Sequence, residues 1–464
     1  MRTAGIIAEY NPFHNGHAWQ IAELKKRGFE AVVCVCSPGV VQRGTAALFP
    51  ARVRTRAALA AGADLVLSLP APYATLSAEG FAAAGVALLS ALGCVDALCF
   101  GTETRRLEDI AQTAALLESP DFPAALRGQL DAGLPLPAAR AAAAEALCPG
   151  AGAVLRAPND ILGVEYCKAL LRQHSALVPL ALPRRGAAHD APLDAAPGRY
   201  ASASALRALV RAGGAAALAP HVPPACLRLY MQAEAEGDIL DGRAFGIAVL
   251  SRLRAMDAAG LRAVRGAAEG LENRLAAAVQ GAGTLDELVQ AMRTKRYATA
   301  RLRRLVLDAA LGYTGDLPAL PPYLHVLGAN ETGLAVLRCA RQAALLPLSH
   351  SLADLAARSA PAARVAAAHA ALPDAAEGQV AVGQVDDGIV DASAAEGEQG
   401  ADAVHPVVVA GEEVQSQGPG FALQVEDELV QILIGEHRQD GAEDLLPHDR
   451  VLPGDGVHHR GGDL

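Results

Sequence analysis

The N-terminal segment constrains the fold more than any other part of the chain. Residues 4–8 form a short apolar run that is typical of a buried parallel strand, and Pro12, which cannot donate a ladder hydrogen bond, ends it. From residue 16 to residue 27, apolar side chains recur at roughly helical spacing. Because His14 and His17 stand between the two patterns, the sequence predicts a strand, a tight loop with two imidazoles, and a helix that begins beside them.

The imidazoles and the glycine between them favour a site for a polyanionic nucleotide. Imidazole N–H groups can donate hydrogen bonds to the negative charge that grows on phosphates during nucleotidyl transfer. Gly16 leaves room for phosphate oxygens near the main chain. We also expect the helix to present unpaired N–H groups and its positive dipole end to the anion. The sequence therefore predicts that this chain uses ATP, with His14 and His17 as catalytic residues.

Short apolar strands alternate with helical segments over the first 200 residues. We predict further strands at residues 31–36, 65–69, 97–100 and 178–182, with helices at 54–61 and 78–92 between them. This order indicates an α/β fold with a Rossmann-like, doubly wound parallel sheet. Ligands of such sheets bind beyond the carboxyl ends of the strands, where the histidine loop and Gly101 are expected to meet.

Composition divides the chain into three predicted regions. Residues 1–200 form the predicted ATP-binding catalytic domain, and residues 201–370, helical in pattern almost throughout, form a predicted helical domain. Residues 371–464 hold 20 acidic side chains and three arginines without a lysine, and Phe421 is their only aromatic residue. We expect this acidic tail to be disordered, whether it is a genuine extension or a frameshifted reading.

The charge and the cysteines narrow the classes of function. The net charge of −10 comes from the tail, since residues 1–370 hold 37 basic and 30 acidic side chains and so permit a nucleic-acid partner. No apolar run is long enough to span a bilayer, so we expect no membrane partner, and the absence of a leader predicts the cytoplasm. The eight cysteines form no CxxC pair, which favours buried thiols over a metal site.

Several motifs beyond the histidine loop resemble one family. They are Val-Gln-Arg-Gly at 41–44, Gly-Ala-Asp-Leu-Val at 62–66, Leu-Pro at 69–70, Ser-Ala-Glu-Gly-Phe-Ala at 77–82, Phe-Gly-Thr-Glu at 100–103, Asn-Asp-Ile-Leu-Gly-Val-Glu-Tyr at 159–166, Lys-Arg-Tyr at 295–297 and Ala-Arg at 300–301. Together they are similar to the bacterial tRNA(Met) cytidine acetate ligase family of HxGH nucleotidyltransferases. The resemblance covers about residues 1–350 and implies a sheet of the HxGH nucleotidyltransferase type, followed by a helical tRNA-binding domain.

The resemblance also implies an ATP-dependent, AMP-forming ligase. That family activates acetate with ATP, with Mg²⁺ bound to the phosphates, and acetylates N4 of the wobble cytidine of elongator tRNA(Met). The implied ATP-binding residues are Ile7, Ala8, Glu9, Tyr10, Asn11, Pro12, Phe13, His14, Asn15, Gly16, His17, Ala18, Trp19 and Gln20, with Gly101, Asn159 and Arg184 as separate contacts. A glycine at a strand end leaves room for adenosine, an asparagine offers both a donor and an acceptor, and an arginine can bind phosphate bidentately.

A basic cluster in the helical half favours contact with RNA. It comprises Arg293, Lys295, Arg296, Arg301 and Arg304. Tyr297 lies among them and is a candidate for stacking on a base. Apolar residues recur at helical spacing through the same segment, so we expect Arg301 and Arg304 to be exposed on the opposite face. Phosphate contacts from such a helix would position a tRNA rather than read its sequence.

Two other functions stay open at the level of sequence. The same histidine site could adenylylate a small phosphorylated substrate, although the helical half and its basic cluster would then have no use. The chain could instead be a nucleotide-dependent RNA-binding protein, although paired imidazoles at a reacting phosphate favour an enzyme. Release of pyrophosphate that depends on acetate would separate these three hypotheses.

Overall fold

A seven-stranded sheet organises the part of the chain that the computed structural model describes, residues 1–103, 106–184, 200–294 and 296–371. The strands are β1 Thr3–Ala8, β2 Ala31–Cys36, β3 Val40–Val41, β4 Thr45–Ala46, β5 Leu65–Ser68, β6 Ala97–Thr102, β7 Val178–Pro183, β8 Leu324–Ala329 and β9 Leu348–Ser349. Their order in the sheet is β7-β6-β1-β2-β5-β8-β9, and β3 and β4 form a separate antiparallel hairpin.

Helices surround the sheet. Those of the N-terminal half are α1 Asn15–Lys26, α2 Ala51–Ala60, α3 Ala71–Ala74, α4 Ala78–Ala91, α5 Leu107–Leu117, α6 Phe122–Asp131, α7 Leu136–Leu147, α8 Ala151–Val154 and α9 Pro158–Arg172. Those of the C-terminal half are α10 Ala203–Gly213, α11 Pro224–Ala235, α12 Gly242–Ala255, α13 Ala258–Ala263, α14 Leu271–Gly281, α15 Leu285–Met292, α16 Thr299–Ala310, α17 Glu331–Ala343, α18 Leu352–Ala357 and α19 Ala360–Ala370. None of these helices combines the length and the apolar character needed to cross a membrane.

The five strands predicted from the sequence are parallel neighbours, which confirms the doubly wound sheet. From β1 the chain builds β2 and β5 on one side, and it then returns to build β6 and β7 on the other side. The direction of winding therefore reverses between β1 and β6. Such a switch point opens a crevice at the carboxyl ends of the strands, where ligands of α/β sheets bind.

The central strand β1 is buried on both faces. Ile6 packs in the same core as Phe13, on the face covered by α1 and α2. Ile7 packs in the core of Phe81 and Phe100, on the face covered by α4 and α9. Burial on both faces explains why the sequence of β1 is apolar without alternation, since a parallel strand between two layers of helices has no solvent side.

The C-terminal half contributes two strands that the sequence analysis missed. β8 pairs antiparallel with β5, with Leu65 opposite Ala329, and β9 pairs parallel with β8. The expectation of helix almost throughout residues 201–370 is therefore wrong at these strands, because periodicity alone does not distinguish a short, fully buried strand from a buried turn of helix. Since β8 extends the sheet of the N-terminal half, the two halves share one core layer. The division into domains at residue 200 stays a prediction.

Two sequence-based predictions lie outside the described residues. Lys295 of the basic cluster is one of them. The acidic tail is the other, from residue 372 to the end of the chain.

Candidate active site

Buried side chains shape the loop between β1 and α1. Tyr10 has a left-handed backbone with φ of 48°, and the Asn11–Pro12 peptide bond is cis. The Tyr10 ring packs edge-on against Phe13 and His17, with ring centroids 4.8 and 4.9 Å away. Asn11 Oδ1 accepts a hydrogen bond at 2.8 Å from a backbone N–H that precedes α2. Because Tyr10, Asn11 and Phe13 are buried within the protein, they position the loop, and their part in ATP binding stays a prediction.

The two histidines of the loop cap α1 together. Nδ1 of His14 accepts a hydrogen bond from the Gly16 N–H at 3.0 Å, and Nδ1 of His17 accepts one from the His14 N–H at 3.2 Å. Their rings stack with centroids 3.8 Å apart and 24° between the planes. Because both Nδ1 atoms accept, each neutral ring carries its proton on Nε2. Each imidazole therefore has one N–H donor left for a ligand.

Burial keeps these imidazoles neutral. Desolvation, followed by the charge of Arg184 and the proximity of His221, lowers the pKa of His14 to about 3. Desolvation, followed by His14 and Arg184, lowers the pKa of His17 well below its usual value. At neutral pH the loop therefore presents uncharged N–H donors. Neutral donors can stabilise negative charge that develops on a phosphate, and they do so without the free-energy cost of burying a cation.

The backbone N–H groups at the start of α1 are already bonded within the protein. The Asn15 N–H donates to the carbonyl oxygen of His221 at 2.9 Å, and those of residues 16–18 donate to Nδ1 and the carbonyl oxygen of His14. The expectation that these groups are free for an anion is therefore wrong, because the two histidines form a capping box. We therefore predict that hydrogen bonds from this part of the chain to a phosphate come from the imidazole Nε2–H groups.

Gly16 makes room for an imidazole. A Cβ at this position would lie 2.8 Å from Cε1 and 3.0 Å from Nδ1 of His14. Any larger residue would push that ring out of its stack with His17. The glycine is thus required by ring packing, and the close approach of phosphate that the sequence suggested stays a prediction.

Gly101, Asn159 and Arg184 converge on Glu103 at the end of β6. Asn159, in the first turn of α9, donates a hydrogen bond to Glu103 Oε1, and Arg184 Nη1 lies 4.0 Å from the same oxygen. A Cβ on Gly101 would lie 3.0 Å from Arg184 Cγ, so the glycine lets the arginine cross the strand end. Since Arg184 also lowers the pKa of both loop histidines, the predicted residues of the two strand ends form one site.

Three residues of this site escaped the sequence analysis. Glu103 is held by its own N–H, which donates to buried Asp160 at 2.7 Å, and its place in the Phe-Gly-Thr-Glu motif at the end of a predicted strand was an available signal. Arg207 Nη1 donates to the carbonyl oxygen of Asn11 at 2.8 Å, and His221 faces the start of α1 through its carbonyl. No spacing pattern links these last two to the loop, because about 200 residues separate them from it.

The β3–β4 hairpin connects the site to the basic cluster. The Gln42 N–H donates to Glu9 Oε1 at 2.9 Å. Gly44, with φ of 72°, packs so closely on α16 that a Cβ would lie 2.5 Å from the Arg304 backbone nitrogen. Arg304 Nη1 lies 3.4 Å from the carbonyl oxygen of Gln42, and this arginine is half-buried. The expectation that Arg304 is exposed is therefore wrong, because the hairpin covers its face of the helix.

The other described arginines of the cluster are exposed. They are Arg293, Arg296 and Arg301. The guanidinium of Arg301 lies 4.8 Å from the centroid of the Tyr297 ring, and that of Arg296 lies 5.5 Å from it. Glu269 accepts a hydrogen bond from the Tyr297 hydroxyl and pairs with Arg296, both at 2.9 Å. The tyrosine is thus held in place among the arginines, and their contact with tRNA stays a prediction.

Comparison with known proteins identifies the family. The model of the HIGH Nucleotidyl Transferase family matches residues 1–375. The curated tRNA(Met) cytidine acetate ligase of Acetivibrio thermocellus is 36% identical over 374 residues, which cover 76% of this chain and 89% of that relative. Its counterpart in Caldanaerobacter subterraneus subsp. tengcongensis is 34% identical over 367 residues, which cover 76% and 90%. The chain belongs to the tRNA(Met) cytidine acetate ligase family.

Solved structures of the tRNA(Met) cytidine acetate ligase fold support this assignment. The crystal structure of Thermotoga maritima TmcAL bound with alpha-thio ATP superposes with a TM-score of 0.70 at 28% identity, over 77% of this chain and 88% of that one. The apo form gives a TM-score of 0.72, also at 28% identity. The resemblance inferred from the motifs and the HxGH nucleotidyltransferase type of sheet are both confirmed.

Proposed function

We propose that this chain is an ATP-dependent tRNA(Met) cytidine acetate ligase. It activates acetate as acetyl-adenylate and transfers the acetyl group to N4 of the wobble cytidine of elongator tRNA(Met). The observation that carries the proposal is the pair of stacked, neutral histidines beside Arg184 at the switch point, in a chain that covers about nine-tenths of relatives with this name. We propose that it acts in the cytoplasm, because both proposed substrates, ATP and tRNA, are found there.

The histidines and Arg184 act in the first step. An acetate oxygen attacks the α-phosphorus of ATP, and the bond from that phosphorus to the bridging oxygen of pyrophosphate breaks. Negative charge grows on the phosphoryl oxygens and on the leaving pyrophosphate. The Nε2–H groups of His14 and His17 donate hydrogen bonds to this charge, and the Arg184 guanidinium neutralises part of it.

In the second step the cytidine amine attacks the acyl carbon of acetyl-adenylate. The new C–N bond replaces the bond to AMP, which leaves, and the amine releases a proton to solvent. No covalent intermediate on the enzyme is needed, so the protein contributes by holding two reactants in line. The exposed arginines 293, 296 and 301 bind the tRNA backbone in this proposal.

Magnesium enters this reaction as part of the substrate. Within the described residues, no group of three or more His, Cys, Asp or Glu side chains is arranged to hold a metal ion. Mg²⁺ typically retains several waters and binds through substrate phosphates. In the proposal Mg²⁺ is bound to the triphosphate as part of the substrate, and Glu103 is a carboxylate that lies beside Arg184 in the same site.

Acetate-dependent exchange of labelled pyrophosphate into ATP tests the first step. We expect exchange with acetate and none without it, in the absence of tRNA. Exchange that requires a small phosphorylated substrate in place of acetate would favour the cofactor adenylyltransferase alternative. Binding of ATP without any exchange would favour the nucleotide-dependent RNA-binding alternative.

A further inference from the structure

Arg54 of α2 is a fully buried cation outside the residues assigned to the reaction. Its side chain is 0% exposed and is the largest fully buried one of the described chain. Within the described residues, no carboxylate lies within ion-pair distance of it. Burying a charge without a counter-charge is costly. An apolar side chain of similar volume would pack here at a lower desolvation cost, so packing alone does not account for a cation at this position.

Backbone carbonyl oxygens take up the donors of this guanidinium. Nε donates to Phe49 at 2.9 Å, and Nη1 donates to Glu9 at 2.6 Å and to Ser37 at 2.9 Å. Nη2 donates to the carbonyl oxygen of Pro38. Carbonyl dipoles satisfy the N–H groups, but they leave the net charge of +1 in place.

The carbonyls that Arg54 holds belong to the segments that build the site. Glu9 follows β1 and begins the loop that carries both histidines, and its carboxylate holds the tip of the β3–β4 hairpin at Gln42. Ser37 and Phe49 lie at the two roots of that hairpin. A single side chain therefore ties the histidine loop, the end of β2 and the hairpin together.

We propose that Arg54 is a positioning residue for the reaction, which fixes the histidine loop through the Glu9 carbonyl. In this proposal its positive charge, which has no ion-pair partner among the described residues, is balanced by the anionic nucleotide at the carboxyl edge of the sheet. The two parts of this role are separable. Hydrogen bonding to the loop sets the geometry of adenylate formation and therefore kcat. The positive charge of Arg54 attracts the anionic nucleotide across the low-dielectric interior of the protein, and it therefore sets the affinity for ATP. The inference rests on the proposed use of ATP at this site.

Two substitutions in the full-length chain separate geometry from charge. Arg54→Lys keeps the charge and loses the planar fork, so we expect a lower kcat of acetate-dependent pyrophosphate exchange and a Kd for ATP within about threefold of the parent. Arg54→Gln loses both, so we expect the same fall in kcat and a Kd for ATP about tenfold weaker. Arg56→Gln, an exposed arginine on the same helix, is the matched control and should change neither.

A merely structural role predicts a different result. Both Arg54 variants would then melt at lower temperature without ATP, while their folded fraction would keep the parental kcat and Kd, and this result would overturn the proposal. If Arg54→Gln does not fold, Arg54→Lys decides alone, because a parental kcat would remove the positioning role. If the parent binds ATP but shows no exchange, the proposed function fails, and the Kd values still test the charge.

Discussion

Histidines 14 and 17 combine two tasks that usually fall to different residues. Their Nδ1 atoms accept backbone hydrogen bonds and so cap α1, and their Nε2–H groups are left to face a ligand. The capping bonds fix both the tautomer and the direction of each ring. In the proposed reaction these donors would need no reorganisation when charge develops on the phosphate, which is the condition under which such donors act most strongly.

Removal of either imidazole should slow adenylate formation far more than it weakens ATP binding. For His14→Ala and His17→Ala we expect acetate-dependent pyrophosphate exchange to fall about 30- to 1,000-fold, since a donor that acts on transition-state charge contributes roughly 2–4 kcal/mol. The Kd for ATP should change only severalfold. His174→Asn, at an exposed histidine outside the site, is the control. Exchange at the parental rate in both alanine variants would show that the motif has been misread.

Because some of its histidines are buried and neutral, we expect the folded protein to lose stability in acid. The pKa of His14 and that of His325 in β8 are each lowered to about 3, chiefly by desolvation, whereas the unfolded chain takes up these protons near pH 6.5. The unfolded state thus binds more protons between pH 6.5 and 3, and the free energy of unfolding falls as pH falls through this window. We expect a loss of about 2 kcal/mol per histidine at pH 5 relative to pH 7.

Urea unfolding at pH 7 and pH 5 measures this loss. His325→Gln should remove its share of the pH dependence, because glutamine does not titrate, whatever the variant does to stability at pH 7. An unfolding free energy that does not change between the two pH values, or an unchanged slope in His325→Gln, would contradict the assignment of neutral, buried imidazoles.

At the level of elements, the β3–β4 hairpin explains how the helical half meets the catalytic sheet. Its tip contacts Glu9 of the histidine loop on one side and the backbone of α16 on the other. Gly44 is required there by both its positive φ and the contact with α16. The hairpin therefore fixes the position of α16, which carries Arg301 and Arg304 of the basic cluster, relative to the histidine loop, as the proposed transfer to a tRNA base requires.

Charge reversal at the exposed arginines should weaken tRNA binding and spare adenylate formation. We choose Arg293→Glu with Arg301→Glu, because both side chains are exposed, whereas Arg304 packs under the hairpin. If each arginine contacts one phosphate, the slope of log affinity against log salt should decrease by about 1 to 2 units in magnitude. Arg127→Glu, exposed on α6, is the control. Unchanged affinity and slope in the double variant would rule this surface out.

On the scale of the whole molecule, the sequence predicted what depends on local pattern. The apolar runs of β1, β2, β5 and β6 and the order of helices between them were sufficient for the parallel sheet. The strand order was sufficient to bring Gly101 and the histidines to one crevice, and the family resemblance added Arg184 to it. Both results follow because parallel strands align their carboxyl ends at one edge of the sheet.

The sequence did not predict what depends on distant contacts. β8 was missed because its partner β5 is about 260 residues away, and its apolar run fits either a strand or a helix. The hairpin half-buries Arg304, and Arg54 is buried beside the end of β1. Helical periodicity gives no information about such contacts between distant segments. The N–H groups at the start of α1 are bonded because the His14 side chain adopts a rotamer that caps the helix. A sequence motif does not specify a rotamer.

Truncation of the acidic tail should leave folding and catalysis unchanged. The match to the family model ends at residue 375, and residues 371–464 carry a net charge of −17 with a single aromatic side chain. Such a segment offers little apolar surface to offset the entropy of ordering. A chain that ends at residue 375 should melt at the same temperature and bind tRNA more tightly at low salt, since a tethered polyanion competes for the basic surface. Aggregation or loss of a cooperative melt would show that the tail belongs to the fold.

Nucleoside analysis of elongator tRNA(Met) would detect the proposed acetyl transfer itself. Unmodified tRNA is incubated with the full-length chain, ATP and isotopically labelled acetate, and its nucleosides are then separated and weighed by mass spectrometry. We expect labelled N4-acetylcytidine at the wobble position, formed together with equal amounts of AMP and pyrophosphate, and absent when ATP is omitted or His14→Ala is used. ATP cleavage with no label on cytidine, or label on a different acceptor, would contradict the proposed function.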